Sequence, residues 1–277
     1  RVRTALPPEP DEGSEPPCSL SLTKGAVTCP SDSSATLQHM PRAVRATIIQ
    51  PDPQVPVDRF GPWLASNRVL VRAVPLWQRD VPDVDSLGDG LLVLGGTMSA
   101  HDGADHPWIE PLKELMVAAV DAEIPTLAIC LGHQLLAEAF GGKVTVNHPG
   151  GGEHGATPVS WHAGASDDPL LGRLAESGRS LLAQSHNDVV TKLPPGVDSL
   201  ATSDHYANQA FRIGSAVGVQ FHPEASPELM GRWAELSGGD GRTMRRAMHV
   251  HDTEVSRNGR LVAQAFCGQL HTRSMAA

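Results

Sequence analysis

Short apolar runs rich in β-formers alternate along most of this chain with stretches whose apolar residues recur every three or four positions. Residues 45–50, 68–74 and 91–94 read as strands, and the last ends in a Gly95-Gly96-Thr97 turn. Between them, residues 59–67 predict a short helix. Residues 108–122 carry Ile109, Leu112, Leu115, Met116 and Ala119 at helical spacing, and residues 124–129 form another buried strand. The run from Leu135 to Phe140 favours helix, and Gly141-Gly142 stops it where a C-terminal glycine belongs. Further short strands are predicted at 157–162, 180–184, 199–202, 209–213 and 216–221. A helix follows at 227–236, with Ser226 as its N-cap. The alternation predicts an α/β fold: a mostly parallel central sheet with helices on both faces. In such sheets chemistry collects outside the carboxyl ends of the strands.

The two ends of the chain differ from this pattern. Residues 1–41 are rich in proline, acids and serine and lack apolar periodicity, so they are read as a disordered leader. Met40 stands just before the first strand, which suggests a functional start there and a dispensable leader. The organised domain spans residues 42–236 and is followed, over 237–277, by a linker and a helical tail. That helix is predicted over 243–270, with an interruption near Gly259. Residues 149–155, PGGGEHG, lack the lysine and serine of a phosphate loop and read as a mobile lip.

Composition narrows the function. A net charge of −9 argues against a nucleic-acid surface, and 40% hydrophobic residues suffice for a sizeable core. The sequence contains no apolar run of membrane-spanning length and no signal-peptide core near its start. Cys18, Cys29, Cys130 and Cys267 show no CxxC spacing, which suits a reducing compartment. The expectation is a cytoplasmic protein with no membrane or nucleic-acid partner.

The chemistry centres on Cys130. It lies between the strand at 124–129 and the helix that follows, with Ala128 and Gly132 on either side. This is the thiol counterpart of a nucleophile elbow. The helix N-terminus behind it favours a thiolate and offers N–H groups to an oxyanion.

Three motifs in order carry a family resemblance: Gly95-Gly96, Cys130 within AICLGHQ, and VQFHPE at residues 219–224. Together they resemble a class I glutamine amidotransferase domain over residues 46–236. GGTMSAHD from Gly95, HPWI from His106 and SHNDVV from Ser185 are similar to the stand-alone, GMP-synthase-like members. The resemblance implies a flavodoxin-like sheet with a small antiparallel sheet beside it and a C-terminal helix. It implies a triad of Cys130, His222 and Glu224, with an oxyanion hole from the N–H groups of Gly96 and Leu131. It also implies substrate contacts from Gly95, Gln134, Ser185, His186, Asn187 and Asp188, and neither cofactor nor metal. The implied activity is hydrolysis of glutamine to glutamate and ammonia through a γ-glutamyl thioester. No nucleotide-binding segment accompanies the domain, so the ammonia goes either to a synthetase partner in trans or to no acceptor. The sequence departs from the family at Ala128, where glycine is usual, and at Thr97, where many members have proline.

The same residues admit plainer roles. Cys130 alone would suit a buried strand end, His222 a structural histidine and Glu224 a surface carboxylate. His186 and Asp188 suggest a second dyad, but a binding loop is the preferred reading. His249, His251 and Asp252 resemble metal ligands, yet residues two apart do not share a helix face. Cys18, Cys29 and Cys267 have no base near them in sequence and are read as inert. Two further readings stand beside glutamine hydrolysis: hydrolysis of γ-glutamyl peptides or amine conjugates, and a catalytically silent binding or regulatory subunit.

Overall fold

A computed structural model describes residues 42–276. The leader, the start at Met40, Cys18 and Cys29 lie outside the described residues. In chain order the strands are β1 (Val44–Gln50), β2 (Val69–Pro75), β3 (Gly90–Val93), β4 (Thr126–Ile129), β5 (Lys143–Thr145), β6 (Glu153–Trp161), β7 (Arg179–His186), β8 (Val189–Lys192), β9 (Ser199–Ser203), β10 (Ala210–Ile213) and β11 (Ala216–Val219). The helices are α1 (Phe60–Ser66), α2 (Ile109–Asp121), α3 (Leu131–Ala139), α4 (Gly172–Ala175), α5 (Pro227–Leu236) and α6 (Gly241–Ala276).

Nine strands form one sheet in the order β2-β1-β3-β4-β11-β10-β9-β6-β7. The first five run parallel. The rest extend the sheet antiparallel. β5 and β8 make a separate antiparallel pair. The period of two along each strand divides the core between the faces of the sheet. Ile48, Leu92, Leu94, Leu127 and Ile129 pack with Phe60 and Leu64 of α1 and with Val262, Phe266 and Leu270 of α6. Their chain neighbours Ile49, Leu91, Val93 and Ala128 pack with Ile109 and Leu112 of α2 and Leu135 and Leu136 of α3. Helices cover both faces, so β3 and β4 are buried along their whole length. This is why they read as unbroken apolar runs.

Three local readings change. The strand expected from residue 157 begins at Glu153, so the last three residues of the supposed glycine lip are paired with β7. Glu153 is buried there, tied to His186 and Gln209. β8 has no counterpart among the strands expected from the sequence; it is short and half exposed, and it owes its place to pairing with β5. The C-terminal helix runs unbroken through Gly259 for 36 residues. Its apolar stripe covers one face of the sheet, and a Cβ on Gly90 of β3 would lie 2.6 Å from Leu270. None of the described helices is long and apolar enough to cross a membrane.

Candidate active site

β4 and β11 are parallel neighbours, with Ile129 beside Val219. Both chains leave the sheet at the same edge, which brings Cys130 and His222 together. The N–H of Cys130 donates to the carbonyl of Val219 at 2.8 Å, and that of His222 donates to Ala183 of β7 at 2.8 Å. Cys130 has φ 51° and ψ −104°, a strained backbone for a residue with a side chain. Such a conformation costs on the order of 1–3 kcal/mol and persists where the surroundings enforce it. Gly132 lets α3 leave at this angle, since a Cβ there would lie 2.8 Å from the carbonyl oxygen of Val93.

His222 and Glu224 are both buried, and Nδ1 of His222 meets Oε1 of Glu224 at 2.7 Å. The ring and the Cys130 side chain both border Gly95, where a Cβ would lie 3.0 Å from Cε1 of His222 and 3.4 Å from Cβ of Cys130. Burial alone lowers the pKa of such a ring, but the charges of Glu224 and Cys130 outweigh it and raise His222 to about 10. Trp233 of α5 covers the ring, with centroids 4.6 Å apart. The turn after His222 is pinned from outside. The Arg59 N–H donates to the Glu224 carbonyl at 3.3 Å, and the Ser226 N–H donates to Asp58 at 2.7 Å. Ser226 caps α5 as expected, accepting from Leu229 at 3.2 Å.

Gly96 and Leu131 are side by side, since a Cβ on Gly96 would lie 2.8 Å from Leu131. Leu131 opens α3, so its N–H has no intrahelical acceptor. The turn that presents Gly96 is held by buried Asp52, which accepts from the Thr97 N–H at 2.9 Å and from the Thr97 hydroxyl. A proline in place of Thr97 would remove both donors, so this loop is fixed by a hydrogen-bonded carboxylate rather than by a ring.

These groups lie in a cavity of about 410 Å³ lined by Gly96, Cys130 and His222 on one side and Gln134 and residues 185–188 on the other. Gly95 is not among the lining residues but packs behind them, between the His222 ring and Cys130. Gln134 donates to the carbonyl of Asp188 at 3.1 Å, joining α3 to the loop after β7. His186 does not pair with the Asp188 side chain. Its Nδ1 meets the Asp188 carbonyl at 3.1 Å, and its Nε2 meets the Glu153 carboxylate at 3.2 Å. Burial pushes the Glu153 carboxyl up, but hydrogen bonds from His186 and Gln209, with the Ser203 hydroxyl nearby, more than offset it and leave it below its ordinary value. Sequence reasoning missed Glu153 because it sits inside a glycine-rich run; the signal was a carboxylate at the start of an alternating strand.

No group of three or more metal-ligating side chains occurs among the described residues. Asp252 is taken by Arg59 at 2.7 Å, and His249 faces Glu228 at 3.1 Å. Burial pushes the Cys267 thiol up to about 11, deep in the core. A buried thiol at a helix N-terminus, with a buried imidazole–carboxylate pair beside it, is equipped to attack a carbonyl.

The glutamine amidotransferase class-I profile matches residues 64–233, and the chain belongs to that family. It is 30% identical over 177 residues to a subunit of the glutamine-hydrolyzing GMP synthase of Halobacterium salinarum, covering 61% of this chain and 87% of that protein. It is 42% identical over 110 residues to the subunit of the same name from Haloarcula marismortui, covering 39% of this chain and 54% of that one. The fold is that of a Thermotoga maritima glutamine amidotransferase, with a TM-score of 0.71 and 23% identity over 81% of this chain and 98% of that one.

Proposed function

We propose that this protein hydrolyses the side-chain amide of glutamine through a thioester on Cys130, with His222 and Glu224 completing the triad. The observation that carries the reading is the grouping itself: Glu224 hydrogen-bonded to His222, with His222 and Cys130 lining one cavity. His222 takes the proton of the thiol. Cys130 attacks the δ-carbon of glutamine, and the amides of Gly96 and Leu131 receive the oxyanion. One such donor is worth about 3 kcal/mol of barrier. His222 then protonates the departing nitrogen, and ammonia leaves. Water, deprotonated by the same ring, cleaves the thioester and releases glutamate. Gln134 and residues 185–188 hold the α-amino and α-carboxylate groups.

The names of the two relatives support delivery of ammonia to a separate synthetase, because each denotes one component of a glutamine-hydrolyzing GMP synthase rather than the whole enzyme. A glutamine-like chloroketone tests the reading. It should label the protein once, at Cys130, and free glutamine should protect. Labelling at Cys267, or labelling that glutamine does not slow, would count against the assignment.

A further inference from the structure

A second cavity, of about 570 Å³, adjoins the catalytic one. The two share His154, Ser185, Trp233 and Ser237 as walls. The far side of the second is supplied by α6 and the loop before it, through Asp240, Met244 and Ala247. The shared wall matters for direction. Trp233 lies against the His222 ring, which is the group that protonates the departing nitrogen. A substituent on that nitrogen that follows the Trp233 wall enters the second cavity.

The size and lining of this cavity say what it would take. Ammonia needs no more room than a water, whose share of liquid volume is roughly 30 Å³. The cavity is many times larger and falls within the range of small-molecule sites. Its wall carries Met230, Trp233, Ala234, Met244 and Ala247. Neither lysine nor arginine is among its lining residues; beyond the imidazoles of His154 and His251, its one ionisable group is Asp240. That carboxylate is already engaged by the start of α6, accepting from Thr243 and Arg242. No lysine or arginine waits there for the carboxylate of a leaving amino acid.

We infer that the cavity between α5 and α6 is a leaving-group site for γ-glutamyl conjugates of apolar amines, with carboxylate-bearing amines disfavoured. The inference rests on the thioester mechanism proposed above. The Cys130 sulfur bonds to the γ-glutamyl carbon, the C–N bond breaks, and the amine leaves with the proton from His222. Water then releases glutamate and returns a proton to the ring.

The test compares glutamine, γ-glutamyl-n-hexylamide and γ-glutamylglycine as substrates, with release of glutamate as the readout. The hexylamide should exceed γ-glutamylglycine in kcat/KM by at least tenfold. Ala247→Trp, which fills the cavity from an exposed position on α6, should reduce hexylamide turnover at least tenfold and leave glutamine turnover within twofold. Glutamine hydrolysis with no turnover of the hexylamide would overturn the inference and leave the glutaminase reading intact. A binding arm makes the inference independent of turnover. Cys130→Ala protein should bind the hexylamide at least tenfold more tightly than glutamine by calorimetry, and Ala247→Trp should abolish the difference. Equal affinity for the two ligands would overturn the inference even if no substrate is turned over.

Discussion

Gly259, in the middle of the C-terminal helix, packs onto the carbonyl of Pro223 so closely that a Cβ at that position would lie 2.0 Å from the oxygen. Pro223 stands between His222 and Glu224, so the helix forms the floor beneath the imidazole–carboxylate pair. The glycine that suggested an interruption is therefore a point of close approach. Asn258 reinforces it by donating to the Leu181 carbonyl at 3.0 Å. Gly259→Ala must push the helix and the turn apart, and overpacking of this kind costs about 1–3 kcal/mol. Urea denaturation should show that loss, together with reduced kcat for glutamine. Unchanged stability and activity would mean that the helix does not support the turn.

The second prediction concerns pH. His222 titrates near 6.5 when unfolded and is raised to about 10 in the fold, with burial opposing and the charges of Glu224 and Cys130 prevailing. The favourable interaction of the protonated ring is complete below pH 6.5 and fades as pH climbs toward the folded value. Glu224→Gln removes its chief source. The stability advantage of wild type over Glu224→Gln should therefore be largest at pH 6 and shrink at pH 8 and 9. Denaturant midpoints at the three values check this, and an advantage that grows with pH would contradict it.

The third prediction concerns Glu153, which accepts from Gln209 at 2.6 Å and from His186 at 3.2 Å in a buried setting. Alanine at this position strands both donors, at about 1–3 kcal/mol for each unsatisfied group. His186 belongs to the segment 185–188 proposed to hold the amino-acid end of the substrate. Glu153→Ala should therefore raise KM for glutamine more than it lowers kcat, with Glu153→Gln intermediate. Steady-state kinetics with unchanged KM would refute a positioning role.

The fourth prediction concerns Asp52, which anchors the turn that carries Gly96. Asp52→Ala removes the acceptor for Thr97. A misplaced oxyanion donor acts mainly in the transition state, so kcat should fall about tenfold, or ~1.4 kcal/mol, with KM nearly constant. A change confined to KM would place the role of this turn in substrate binding.

The parallel half of the sheet was legible because β3 and β4 are buried on both faces and leave continuous apolar runs. The elbow was legible because local sequence alone encodes a strand, a cysteine and a helix. Long-range pairing was not. β8 exists through its contact with β5, and Glu153 joins β6 through β7 and His186, partners that no local pattern names. Gly259 looked like a helix breaker because the Pro223 carbonyl that requires it is distant in sequence. The family resemblance grouped residues 185–188 with Cys130, and the structure brings them to one cavity.

The central claim is a covalent bond between Cys130 and the glutamyl group, and intact-protein mass spectrometry tests it directly. Protein mixed with glutamine and quenched in acid within milliseconds should gain the mass of one glutamyl group, mapped to Cys130 by peptide digestion. The adduct should be absent in Cys130→Ala and should decay as glutamate appears. Glutamate and ammonia formed at full rate by Cys130→Ala, or an adduct on another residue, would contradict the account.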